Sequence, residues 1–164
     1  GVRVPCIAWG YGVTKPGRLC KEPVITCDFF PTILELTSTA GDSTHNTEFD
    51  GVSLVPVLKS SATRLDREAL YWHYPHYHIG GATPYGAVRC GNFKLIEFYE
   101  TGRLELYNLE NDISETTDLS ETQPGKVQEL YALLINWRKT VDAQMPVPNP
   151  NYQPEKATMR KGTW

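Results

Sequence analysis

Residues 68–109 place the tightest constraint on how this 164-residue chain can fold. Glu68–Tyr74, Tyr85–Arg89, Phe93–Tyr99 and Arg103–Leu109 carry apolar and polar residues at a period of two, the signature of strands with two different faces. Cys90-Gly91-Asn92 joins the second run to the third, and Glu100-Thr101-Gly102 joins the third to the fourth. Connections this short admit only antiparallel neighbours. Across the last hairpin, the alternation predicts that Ile96 and Phe98 share a face with Leu104 and Leu106.

A sheet with one apolar face needs a cover, and the next segment supplies one. Pro124 sits where a helix tolerates a missing N–H, in its first turn. Val127, Leu130, Tyr131, Leu134, Trp137 and Val141 then recur at three- and four-residue spacing as one stripe, with Lys126, Glu129 and Lys139 off it. Arg138 and Lys139 suit the negative end of the helix dipole. Residues 67–145 therefore read as a four-stranded antiparallel sheet packed by one helix.

Residues 1–66 follow a different rule. Val2–Trp9 reads as a short buried strand closed by the Gly10–Gly12 stretch, and Lys15-Pro16-Gly17-Arg18 as a turn. Asp28 is a candidate N-cap for an amphipathic helix carrying Phe29, Phe30, Ile33, Leu34 and Leu36, with Pro31 in its first turn. Thr37–Glu48 and Ser60–Asp66 are polar connectors, and a second short helix fits Leu54–Leu58. Pro146, Pro148, Pro150 and Pro154 make the last segment an extended tail. A strand beginning at residue 2 with no polar lead-in suggests a chain cut from something larger. Its unpaired edge would invite self-association.

Composition narrows the function. Charged residues are 21% and the net charge is −3, so there is no basic footprint for nucleic acid. No apolar run is long enough to span a membrane, and no signal-peptide pattern is present. Cys6, Cys20, Cys27 and Cys90 show no CxxC spacing; either disulfides, in any of three pairings, or buried free thiols fit them. No N-glycosylation sequon occurs.

The sharpest local cluster is Tyr71-Trp72-His73-Tyr74-Pro75-His76-Tyr77-His78-Ile79-Gly80-Gly81, which holds three of the four histidines. Imidazoles are common metal ligands, yet no Cys or carboxylate lies within the segment to complete a site. Stacking of aromatic faces on sugar rings, with imidazoles donating to hydroxyl or anionic groups, is the second reading. An aromatic strand end packed on the helix is the third. His73, Tyr74, His76 and His78 are the candidate substrate-binding residues, with His76 and His78 foremost, and Tyr71 and Trp72 are candidate core. Elsewhere GxSxG, P-loop, HExxH, DxDxDG and GxGxxG motifs are missing. Asp28 and Asp50 are explained by capping and turn chemistry, and Glu97, Glu100 and Glu105 as solvated residues near a hairpin. No catalytic residue and no metal ligand is assigned.

Five stretches in order resemble the C-terminal part of the sulfatases of the alkaline-phosphatase superfamily, most closely the bacterial arylsulfatase-like members. Gly1-Val2-Arg3-Val4-Pro5 resembles their Gly-Gly-x-Arg-x-Pro strand, and Asp28 to Leu36 their Asp-x-x-Pro-Thr-Leu-x-x-Leu helix. Asp50-Gly51-Val52-Ser53-Leu54, with Pro56 and Leu58, matches Asp-Gly-x-Ser-Leu-x-Pro-x-Leu. Arg89 to Leu95 resembles Arg-x-Gly-x-Trp-Lys-Leu with Phe93 for Trp, and Leu106 to Asp112 resembles Leu-Tyr-Asn-Leu-x-x-Asp. Ile113 stands where Pro is usual and Asp118 where Asn is usual.

The resemblance implies an α/β chain: residues 1–66 as the end of a large α/β domain, 67–145 as a small antiparallel domain, and 146–164 as a Pro-rich tail. It implies a hydrolase of sulfate esters, of a sulfated carbohydrate or an aryl sulfate, at a periplasmic or extracellular location. The family's nucleophile is a formylglycine made in Cys/Ser-x-Pro-x-Arg, and a calcium ion clamps the sulfuryl oxygens. No Cys or Ser here starts that motif, so neither group is assigned to these residues, and the chain alone is expected to be inactive. The rivals are a phosphodiesterase or phosphonate hydrolase of the same superfamily, and a non-enzymatic carbohydrate-binding module.

Overall fold

In the computed structural model the described residues are 2–42, 44, 50–60, 64–78 and 80–153. Parts of both predicted polar connectors, Ile79 of the histidine segment and the tail beyond Gln153 lie outside them. The chain divides into two units, Gly1–Arg67 and Glu68–Trp164.

Three hairpin connections in the second unit produce a meander of four antiparallel strands: β1 (Leu70–Tyr74), β2 (Tyr85–Cys90), β3 (Phe93–Phe98) and β4 (Leu104–Asn108), in that spatial order. Gly91 and Gly102, at φ +56° and +67°, take the left-handed positions that the two short turns require. Tyr71, Val88, Leu95 and Leu106 form one row across the sheet, and His73, Gly86, Glu97 and Leu104 form the next on the same face.

This register corrects the predicted hairpin. Leu95 pairs with Leu106 and Glu97 with Leu104, while Ile96 pairs with Glu105 on the opposite face. A strand alternates with period two, so pairing one residue away exchanges the faces. Leu95 is the better core residue, and with Leu106, Val88, Leu130 and Leu134 it is fully buried. Each such side chain contributes roughly 1.5–3 kcal/mol by leaving water.

The cover is the first long helix of this unit, Pro124–Thr140, with Pro124 opening it. Leu130 and Leu134 are buried against the sheet, and Val127, Tyr131 and Trp137 pack at the edges of the same cluster. Val141 lies past the helix end and is 45% exposed, so it drops out of the predicted stripe. The helix ends with Asp142 at φ +47°, and the Ala143 N–H donates to Arg138 O at 2.9 Å. Pro146–Gln153 contains only one turn and is exposed.

The first unit has little regular structure: a 3-10 turn (Thr26–Asp28) runs into α1 (Phe29–Leu36), and α2 (Val55–Lys59) follows. The long helix of the second unit is accordingly α3. Val2–Trp9 is not a strand, and Ile7 and Trp9 are 93% and 86% exposed. A strand needs a neighbour to take its N–H and C=O groups, and none of the described residues pairs with this stretch. On α1, Phe29, Ile33 and Leu36 are exposed.

What closes this unit is polar. Asp28 is fully buried, and its carboxylate accepts from Val52 N (3.0 Å), Ile25 N (2.8 Å) and both terminal nitrogens of Arg67 (2.7 and 3.1 Å). The expectation that Asp28 caps α1 is corrected: it stands at the N-cap position, but its side chain makes no cap hydrogen bond there and instead closes the preceding turn and binds a segment 24 residues on. Four residues along, the Thr32 hydroxyl accepts from Leu54 N at 2.8 Å and donates to Asp28 O at 2.6 Å. Gly51 is required between them, because a Cβ there would lie 2.2 Å from the Cys27 carbonyl oxygen. Arg18 donates to the carbonyls of Val57, Leu58 and Lys59 at the end of α2. Leu54, Val57 and Leu65 make the small apolar core.

Candidate functional site

The histidine segment divides between the two faces of the sheet. Tyr71 and His73 project toward α3, and Tyr71 stacks on Trp137 at 4.9 Å with planes 5° apart. That fits its assignment to the core. Trp72 belongs to the other face and is half-buried.

His73 is held at both ring nitrogens. Nδ1 lies 2.6 Å from the Tyr99 hydroxyl and Nε2 lies 2.9 Å from Gln144 O. A carbonyl can only accept, so the proton is assigned to Nε2, and in the neutral ring Nδ1 accepts from Tyr99. Tyr99 reaches His73 across β2, where Gly86 leaves the room: a Cβ at 86 would lie 2.4 Å from the Tyr99 oxygen.

Behind Tyr99 is a charged pair that sequence reading missed. Glu97 is 8% exposed, not solvated; Arg138 meets its Oε2 at 2.7 Å and the Tyr131 hydroxyl donates to its Oε1 at 3.0 Å. The Arg138 contact is an ion pair whose geometry falls outside that of a hydrogen bond. Arg138 also approaches Tyr99, its Cζ 5.4 Å from the ring centroid. Burial pushes the Tyr99 hydroxyl above its ordinary range, opposed by Arg138. Burial and then the Glu97 hydrogen bond push Tyr131 the same way. The cue was the period: Glu97 shares parity with Leu95, and Arg138 follows Leu134 by four residues.

Tyr74, His76 and His78 lie together at the opposite side of the β1 end. The Tyr74 ring meets His76 edge-on at 5.7 Å, His78 at 6.5 Å and Tyr85 at 5.7 Å. His76, Tyr77 and His78 are exposed. Gly80 N donates to His78 Nδ1 at 2.9 Å, and His78 N donates to Ala82 O at 2.9 Å, which shapes the loop. With Nδ1 accepting, the neutral ring of the exposed His78 carries its proton on Nε2 as a donor. Tyr77 donates to Glu100, and that bond raises the Tyr77 hydroxyl above its ordinary range. The arrangement offers aromatic faces and imidazole N–H groups to a polar ligand, with no acid–base pair aimed at a common point.

Among the described residues no three His, Cys, Asp or Glu side chains come together to hold a metal ion. The buried carboxylate of Asp28 is consumed by two N–H groups and Arg67, and that of Glu97 by Arg138 and Tyr131. Asp112 accepts from Thr116 and Thr117, and the backbone N–H of Thr117 foremost holds it below the usual carboxylate range. Spent in this way, these carboxylates do not fit a calcium ion. All four cysteines are free; Cys6, Cys20 and Cys27 are exposed and Cys90 is half-buried, so burial fails as an account of the first three. No helix among the described residues is long and apolar enough to cross a membrane.

Comparison with known proteins places the chain. The sequence profile of the N-sulphoglucosamine sulphohydrolase C-terminal family matches residues 1–141. A sulfatase of Formosa agariphila is 36% identical over 143 residues, 83% of this chain and 26% of the relative. A solved structure of BT4656 in complex with its substrate D-glucosamine-2-N,6-O-disulfate superposes with a TM-score of 0.57 at 29% identity, over 73% of this chain and 24% of that one. The phosphonate monoester hydrolase SpPMH of Silicibacter pomeroyi matches at a TM-score of 0.57 over 77% of this chain and 27% of its own, and at 19% identity it shows a shared fold alone. The chain thus spans about a quarter of the length of these relatives. The profile match over most of the chain, together with a relative 36% identical over 83% of it, shows that the chain belongs to the N-sulphoglucosamine sulphohydrolase C-terminal family.

Proposed function

We propose that this chain is the C-terminal portion of an enzyme that hydrolyses sulfate esters of a sulfated carbohydrate. In this reading the formylglycine nucleophile and the calcium ion belong to a part of the protein outside these 164 residues. Residues 1–66 complete the large α/β domain, 67–145 form the small domain, and Tyr74, His76 and His78 contribute to substrate recognition. His73 stands behind that patch. The location is periplasmic or extracellular. Aryl sulfates are the alternative substrate class.

The observation that carries the reading is the family match across residues 1–141. Two features of the chain accord with it. The exposed apolar side chains of Ile7, Trp9, Phe29 and Ile33 suit a unit that packs against more protein. The exposed imidazole of His78 suits a hydroxyl or sulfate oxygen, which accepts what its Nε2 donates.

The test is kinetic. In the full-length enzyme, His76→Ala and His78→Ala are each expected to lower kcat/KM toward a sulfated saccharide by about tenfold, the scale of a hydrogen bond to a charged group. Unchanged kcat/KM in both variants would overturn the recognition role. Turnover of an aryl sulfate by the purified 164-residue chain would overturn the placing of the nucleophile outside it.

A further inference from the structure

The strand end that launches the exposed patch is tied down from behind. His73 is the last residue of β1 to face α3, and Tyr74 beside it faces the patch. Counting from the helix, Arg138 pairs with Glu97 and lies against Tyr99; the Tyr99 hydroxyl donates to His73 Nδ1; and His73 Nε2 donates to Gln144 O. The Gln144 carbonyl can only accept, so His73 Nε2 donates to it, and in the neutral ring Nδ1 then accepts from Tyr99, whose ring lies against Arg138. Such a series holds a unique geometry more firmly than one contact would. It joins β1, the residue that follows β3 and the stretch after α3 at a single imidazole.

Resting on the recognition reading above, we propose that His73 is a positioning residue, acting through Tyr74 on His76 and His78. Both of its nitrogens are occupied by protein groups, so it has no donor left for substrate. Tyr74 is the centre of the patch, within 5.7 Å of the His76 and Tyr85 rings and 6.5 Å of His78. A shift of the β1 end moves all of them together. Gly86 serves the same device, since any side chain there would displace the Tyr99 hydroxyl.

Tyr99→Phe removes the central hydroxyl with almost no change of shape. In the full-length enzyme it is expected to raise KM for a sulfated saccharide by roughly three- to tenfold, the effect of one lost hydrogen bond, with kcat unchanged. His73→Phe should do the same, and His73→Gln, which keeps a donor for Gln144, should recover part of the loss. The readout independent of activity is the long-range ¹H–¹⁵N imidazole spectrum of the 164-residue chain. His73 should show the Nε2–H tautomer, and Tyr99→Phe should shift the His76 and His78 signals. Unmoved His76 and His78 signals overturn the positioning role. Moved signals, with KM indifferent to alanine at 76 and 78, uphold it and overturn the recognition reading instead.

Discussion

Set side by side, the two units close themselves by opposite means. In Glu68–Trp164 a continuous ladder satisfies the strands, and one helix lays Leu130 and Leu134 on Val88, Leu95 and Leu106. Among the described residues of Gly1–Arg67 the apolar core is Leu54, Val57 and Leu65 with their edges, and the joint is Asp28 with Thr32, Val52, Leu54 and Arg67. Apolar area can be left for another surface to cover, at a cost that scales with area. A buried carboxylate cannot wait in that way, because its charge must be neutralised where it sits. The polar joint is therefore complete within the first unit even though its apolar sides are bare.

The largest effect expected from this contrast is at Asp28. Asp28→Ala leaves the Val52 and Ile25 N–H groups without their acceptor and Arg67 with the Pro23 carbonyl but no counter-charge, a loss of about 3–5 kcal/mol. Amide exchange should show protection vanishing around Ile25–Leu36 and Val52–Leu58 while β1–β4 keep theirs. Exposure spreading equally to the sheet would break the comparison. Leu134→Ala is the converse, costing about 2–5 kcal/mol by opening a cavity under the sheet, and its effect should stay in the second unit. Gly51→Ala sharpens the picture of the polar joint. Its Cβ has backbone to displace, so about 1–3 kcal/mol is expected, read as a lower denaturation midpoint for the first unit alone.

The smallest effect is alkaline. Burial raises the hydroxyls of Tyr71, Tyr85, Tyr99 and Tyr131 above the ordinary value. The folded state then holds those protons more tightly than the unfolded chain does. The stabilisation is complete below pH ~10, where both states are protonated, and is lost as pH rises through the raised folded values. Stability of the second unit should fall across that window, and the Phe variants at these positions should flatten the slope. A flat profile for the unsubstituted chain would count against the buried tyrosine rows.

Much of the second unit was legible in its residues. The four strands and the helix fall within a residue or two of their expected places, because alternation and the 3.6-residue stripe are local signals. The Leu95–Leu106 register was not, since Ile96 and Leu95 are equally apolar neighbours and only the partner strand chooses between them. In the first unit the motifs Asp28 to Leu36 and Asp50 to Leu54 were visible as patterns, yet their purpose was not. Asp28 beside a helix start reads as a cap until Val52 and Arg67 arrive from 24 and 39 residues away. In the candidate site His73, Tyr74, His76 and His78 were picked out together as one cluster. Folding separates His73, turned to Tyr99 and Gln144, from the three that face the patch.

What the sequence determined alone is therefore the strands and helix of the second unit, the short helices of the first, the order of the family's motifs and the presence of an aromatic–imidazole segment, all of which depend on residues near one another in the chain. Tertiary structure decided which groups are spent: Glu97 on Arg138, Tyr99 on His73, Asp28 on Arg67. The physical reason is that a side chain's availability depends on its partners, and these partners are brought close only when distant segments pack.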